Sequence, residues 1–246
     1  MPKVHLAPLS SIAAGLLGLF AVDSVSPLSA AGWTAGLLYL VVSNGLLARG
    51  LRRSGMTAFG WGNAATAARS TLVALVTALV ATSFSSSVSV ALLIVLASIA
   101  LVLDAVDGWL ARRTRTESAL GARFDMEVDA FLLLALSAYV APALGAWVLA
   151  IGMLRYAFVV GGWLVPWMRA PLPPRYWRKV VTAVAGIALV VAASGIPPAW
   201  ACTGAALIAL ALLLESFGRD VLWLAARRRV ETTRVEAGHR RNGADR

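Results

Sequence analysis

The sequence LDAVDGWLARRTRTESALGARFDMEVDAF, residues 103–131, carries Asp104, Asp107, Asp125 and Asp129 through an otherwise apolar region of the chain. At ~100° per residue, Asp104, Asp107, Gly108 and Ala111 share one helical face, and Gly121, Asp125 and Asp129 share one face of the next helix. Two carboxylate pairs therefore face one cleft. Flanked by Leu101, Val102, Leu103, Phe131 and Leu132, they are costly to hold near a membrane unless neutralised, and hard divalent cations are the usual answer. The competing reading is a solvated loop in which the acids pair with Arg112, Arg113, Arg115 and Arg123.

Working outward, the composition fixes the solvent. The chain of 246 residues is 59% hydrophobic and only 14% charged, with a mean hydropathy of +0.78. That excludes an ordinary soluble domain and predicts an all-α, polytopic membrane bundle of about eight transmembrane helices. The net charge of +10 does not point to nucleic acid, because no nucleic-acid module is recognisable and few aromatic residues lie among the basic ones. An anionic membrane surface is the expected partner. Cys202 is the lone cysteine, inside an apolar run, so no disulfide or thiolate metal site follows. His5 and His239 lie near the termini and receive no catalytic role.

On the N-terminal side, apolar spans are expected at about Leu6 to Val22 and Ala30 to Ala48, the second ending at Arg49, Arg52 and Arg53. The first is read as a membrane helix rather than a signal peptide, since no small-residue cleavage site precedes the next apolar segment. Gly32 and Gly36 form a G-x-x-x-G, which is either a close-approach motif or a chance match in a glycine-rich chain. The third helix starts in GWGNAATAARSTLVALV, where Asn63, Thr66 and Arg69 recur every three residues along one flank. A fourth span, Val88 to Leu103, runs into the first aspartate pair.

On the C-terminal side, a fifth helix is expected from Gly121 to about Val140, with Pro142 and Gly145 turning the chain into a sixth, Ala146 to Val165. Pro166, Pro171, Pro173 and Pro174 mark an irregular link. A seventh span, about Val180 to Ala193, and an eighth, Ala199 to Leu214, are separated by Gly195, Pro197 and Pro198. Trp163, Trp167, Tyr176 and Trp177 suit a membrane-interface belt. The chain thus divides into two added N-terminal helices (1–58), a six-helix core (59–224) and a basic tail (225–246) that composition marks as disordered.

The aspartates read D-x-x-D-G-x-x-A-R, then eight residues, then G-x-x-x-D-x-x-x-D. This pattern resembles, without a gap, the signature of the CDP-alcohol phosphotransferase, or CDP-alcohol phosphatidyltransferase, family. The resemblance implies transfer of a substituted phosphate from a CDP-alcohol, with CDP-diacylglycerol the expected donor, to an acceptor alcohol with release of CMP. It implies a two-metal Mg²⁺ or Mn²⁺ site held by Asp104, Asp107, Asp125 and Asp129, with Asp129 also the general base. It further implies that Asn63, Thr66 and Arg69 help hold the nucleotide diphosphate, and that the chain forms a homodimer. Gly108, Ala111 and Gly121 lack bulk where cytidine would pack, and Arg112 can reach phosphate oxygens.

Arg155, in the middle of the sixth span, is a functional candidate because of its depth. With Arg175, Arg178 and Lys179 it could form a cationic pocket for a phosphorylated acceptor, or these residues could be ion-pair partners and interfacial anchors. Glycerol phosphate, inositol phosphate, inositol, serine and phosphatidylglycerol all stay open as acceptors. Glu127, ~200° from Asp125, is expected to face away from the cleft and pair with a loop arginine.

With eight spans, Lys3, the Arg49 to Arg53 cluster, the Arg112 to Arg123 loop, the Arg169 to Lys179 link and the tail fall on one side. The links around Pro27, Ser86, Pro142 and Pro197 carry no Lys or Arg. The positive-inside rule then places the cleft and both termini on the cytoplasmic side of the cell membrane. An ion-coupled transporter using the aspartates as a cation pathway is the alternative function. It predicts ionisable groups spread over several depths, whereas these gather at one end of two helices.

Overall fold

The computed structural model describes residues 3–54, 61–114, 119–170, 172 and 176–244, with the backbone alone at 3–9, 53–54, 61–65, 107–114, 119–120, 176 and 229–244. Among these residues the chain forms eight α-helices and no strand. They are α1 (Lys3–Val25), α2 (Ala30–Ser54), α3 (Trp61–Ser83), α4 (Val90–Thr114), α5 (Ala119–Leu144), α6 (Leu149–Leu164), α7 (Tyr176–Ala193) and α8 (Ala199–Ala244). This is the expected polytopic helical bundle.

Several hydroxyls in and beside these apolar helices are satisfied locally, as an apolar medium favours. Ser29 Oγ accepts the Gly32 N–H at 3.1 Å and Ser89 Oγ accepts the Leu92 N–H at 3.3 Å, capping the starts of α2 and α4. Thr34, Thr77 and Thr82 each donate to the carbonyl four residues back, at 2.7, 2.7 and 2.8 Å.

Among the described residues, five helical stretches are long and apolar enough to cross a membrane: Ala30–Arg52, Thr66–Ser83, Gly121–Leu144, Ala146–Leu164 and Ala199–Arg228. Shorter apolar stretches, Ser10–Val25 and Val90–Val106, lie in α1 and α4. In α4 the aspartates end the apolar run before the helix ends, and in α7 Arg178 and Lys179 occupy its first turn.

Two of the helix ends that depart from the sequence expectation bear on the fold. α5 continues past Val140 to Leu144 with Pro142 inside its last turn, where the proline gives up its own N–H bond to the carbonyl four residues back and the helix ends two residues later. The reversal is made at Gly145, whose φ of 102° suits a residue without a Cβ and whose N–H donates to the Ala141 carbonyl at 2.8 Å. The second departure is at the C-terminus. α8 runs unbroken to Ala244, so the polar stretch that composition marks as disordered is helical backbone.

α3 is the axis of the bundle, packing against α1, α2, α4 and α5. Its Val73, Ala74, Val76, Ala78 and Leu79 have no solvent exposure. The G-x-x-x-G of α2 is a close-approach motif here. A Cβ on Gly32 would come within 2.7 Å of the Ala78 carbonyl oxygen, and one on Gly36 within 3.1 Å of the Ala78 Cβ. α5 in turn contacts α6 and α7, and α7 contacts α4 and α8. This order brings the N-terminal part of α3, the C-terminal part of α4 and the N-terminal part of α5 together at one end of the bundle.

Candidate functional site

Three carboxylates and one guanidinium meet at that end. Asp104 comes from α4, Asp125 and Asp129 from α5 one turn apart, and each offers an oxygen within 4.8 Å of the others. Arg69 of α3, fully buried, binds all three. Its Nη1 lies 2.6 Å from Asp104 Oδ1, and its Nη2 lies 2.5 Å from Asp125 Oδ1 and 2.7 Å from Asp129 Oδ1. The carboxylates keep limited access to solvent, with side-chain exposures of 25%, 16% and 21%.

Buried charges are tolerated only when paired and hydrogen-bonded. One guanidinium against three carboxylates leaves two formal negative charges, concentrated in oxygen donors. That donor set fits a hard divalent cation such as Mg²⁺ or Mn²⁺. The spacing of the acids along the helices was legible in the sequence, and so was the flank carrying Arg69. That the guanidinium would sit among the acids was not, since the register of α3 against α4 and α5 is set by packing.

The other expected site residues are distributed as follows. Thr66 is buried on α3, one turn before Arg69, and Gly121 is partly buried at the start of α5. The Asn63 side chain lies outside the described residues, as do the side chains of Asp107, Ala111 and Arg112 and all of Arg175, while Gly108 is described as helical backbone of α4 alone. Arg155 donates to Glu127 Oε1 at 2.6 Å, so the partner of Glu127 is a cation of α6 rather than a loop arginine. Glu127 is not among the clustered carboxylates, in keeping with its helical phase. Arg178 lies 3.2 Å from Asp220 of α8. Lys179 is exposed on α7.

Beside the Arg178–Asp220 pair, a cavity of about 400 Å³ is lined by Trp177, Arg178, Ser216, Arg219, Asp220 and Leu222. Trp177 Nε1 donates to Glu215 at 3.0 Å, and Arg219 also pairs with Glu215. Trp177 is therefore anchored by an acid. One neighbour of the cluster went unremarked in the sequence: Tyr39 of α2, whose ring contacts Phe131 of α5. Its only signal there is a hydroxyl in an apolar run.

Comparison with known proteins adds a single match. The family model for CDP-alcohol phosphatidyltransferase matches residues 59–217, from just before α3 into α8. No curated protein and no solved structure matches the chain.

Proposed function

Because the chain belongs to the CDP-alcohol phosphatidyltransferase family, we propose that it moves the phosphatidyl group of CDP-diacylglycerol to an acceptor alcohol and releases CMP. The observation that carries this reading is the Asp104, Asp125 and Asp129 cluster around Arg69, inside the matched segment. Asp104, Asp107, Asp125 and Asp129 are assigned to the metals. Bound there, Mg²⁺ or Mn²⁺ would neutralise the pyrophosphate and the departing CMP.

The protein's own groups do the rest. Asp129 accepts the proton of the acceptor hydroxyl, whose oxygen bonds to the phosphorus bearing the diacylglycerol. The bond from that phosphorus to the bridging oxygen breaks, and CMP leaves with the electron pair. Arg69 holds the carboxylates in register while this happens. Asn63, Thr66 and Arg69 on α3, with Gly108, Ala111, Arg112 and Gly121, are assigned to the CDP moiety, where small residues allow close approach and cations meet phosphate. Arg155, Arg175, Arg178 and Lys179 are assigned to the acceptor, which on this charge is a phosphorylated alcohol.

The one-sided distribution of Lys and Arg supports a multi-pass protein of the cell membrane with its cleft and both termini in the cytoplasm, next to anionic lipid. A homodimer is adopted from the family resemblance. The test is CMP release from CDP-diacylglycerol by purified protein, with Mg²⁺, with Mn²⁺ and with chelator, across a panel of acceptors. Metal-dependent release with one acceptor is the expected result, and no release with any CDP-alcohol overturns the reading.

A further inference from the structure

The seam between α7 and α8 carries polar chemistry that the carboxylate cluster does not use. Its cavity of about 400 Å³ is lined by Trp177, Arg178, Ser216, Arg219, Asp220 and Leu222. Acids steady the two cations from the side. Asp220, only 2% exposed, pairs with Arg178 at 3.2 Å, and Glu215, outside the lining, pairs with Arg219 and accepts the Trp177 N–H at 3.0 Å. Arg219 meets Glu215 through Nε. A guanidinium has five N–H donors, so this pairing fixes Arg219 without exhausting it.

Depth selects what fills the cavity. The apolar stretch of α8, Ala199–Arg228, has 30 residues, or about 45 Å at 1.5 Å per residue, against about 30 Å of hydrocarbon in a bilayer. Pro197 and Pro198 precede its start, and Arg219 stands about 30 Å along it, where hydrocarbon gives way to headgroups. Arg219 also points outward: it is 66% exposed, with Leu214 and Leu222 exposed before and after it. A cation on a lipid-facing surface is stable when it reaches headgroup depth and an anion meets it there. Trp177, exposed beside it, is the residue type that suits that level.

We propose that this cavity binds the phosphate of a membrane phospholipid, with Arg219 and Arg178 as its donors and the acyl chains passing Leu214. Charge-assisted contacts to phosphate oxygens supply the affinity. The phosphate belongs to a lipid rather than to a soluble ester because Arg219 is on the outer, apolar face of α8. Arg178 is shared with the acceptor assignment above, so the test is read on Arg219, which has no part in that assignment.

Full-length protein is stripped of lipid in detergent, and binding of phosphatidylglycerol is followed by native mass spectrometry. Diacylglycerol of the same chains and inorganic phosphate are titrated in parallel. Losing a hydrogen bond to a charged group should weaken phosphatidylglycerol binding about tenfold in Arg219→Gln, and Arg219→Lys should recover part of it. Arg227→Gln should bind as the wild type does, since Arg227 lies over the Trp223 ring and does not line the cavity. Without lipid, Arg219→Gln should melt with the wild type, because an exposed pair contributes little to stability. Diacylglycerol should bind alike to all variants, and inorganic phosphate should not displace the phospholipid.

Wild-type binding by Arg219→Gln overturns the proposal. So does an equal loss in Arg227→Gln, which would reduce the effect to general surface charge. Displacement by inorganic phosphate would make this a site for soluble anions and overturn the lipid assignment. No CDP-alcohol enters the measurement, so its failure leaves the proposed phosphatidyl transfer standing, and a protein that releases no CMP can still pass it.

Discussion

Asp125 and Glu127 stand two residues apart and do opposite things. Asp125 binds Arg69 with Asp104 and Asp129, whereas Glu127 turns to Arg155 of α6. On the proposed assignment of Asp125 to the metal, and since groups behind metal ligands already account for about 10–100-fold, losing it should cost at least about 100-fold. Asp125→Asn is therefore expected to lose turnover by that factor, and Glu127→Gln to retain it, in a CMP-release assay at matched protein levels. Equal losses would place Glu127 in the cluster.

The Glu127–Arg155 pair is partly exposed, at 44% and 26%, so its own stability contribution is within about 1 kcal/mol. If Arg155 also binds an acceptor phosphate, Arg155→Ala should raise the acceptor KM roughly tenfold, or about 1.4 kcal/mol, with the donor KM unchanged. Glu127→Gln should leave both constants alone. Matching acceptor effects in the two variants would make the pair structural and favour an uncharged acceptor. The helical phase of Glu127 was readable because it depends only on residues near it in sequence. Its partner, on another helix, was not.

At the scale of the element, two glycines of α2 separate packing from propensity. A Cβ on Gly32 meets the Ala78 carbonyl at 2.7 Å, whereas one on Gly45 meets nothing within 4 Å. Gly32→Leu forces α2 away from α3 and should destabilise the protein by about 1–3 kcal/mol, the usual cost of overpacking. Gly45→Ala only removes backbone freedom and should stabilise α2 by about 0.5–1 kcal/mol. Thermal unfolding of both variants in one detergent checks the contrast, and equal shifts would mean that α2 does not approach α3 this closely.

The sequence located α2 from its apolar run, but it could not say whether Gly32 and Gly36 face α3 or lipid, since the spacing is common to both. The long α8 was missed for a related reason. Low hydropathy identifies residues that leave the bilayer, but it does not distinguish a coil from a polar extension of a helix already nucleated inside it.

At the scale of the whole molecule, the charged cluster has one depth. Arg69 lies near the start of α3, Asp104 in the last part of α4, and Asp125 and Asp129 in the first part of α5. A cation pathway needs groups at successive depths, and these four residues give only one. Which side of the membrane that end faces depends on the flanking cations. A Lys or Arg at the centre of a spanning helix costs about 2.5–3.5 kcal/mol, and loop cations bias orientation toward the cytoplasm. The cation-free α3–α4 link, with exposed Ser86, should then lie outside the cell, and the exposed Ala226 of α8, next to Arg227 and Arg228, inside. In a Cys202→Ala background, Ser86→Cys should react with an impermeant thiol reagent on intact cells. Ala226→Cys should react only after the membrane is permeabilised. The reverse pattern would put the carboxylates at the outer face, out of reach of a cytosolic CDP-linked donor, and the proposed phosphatidyl transfer would have to be abandoned even though the bundle and its cluster were unchanged.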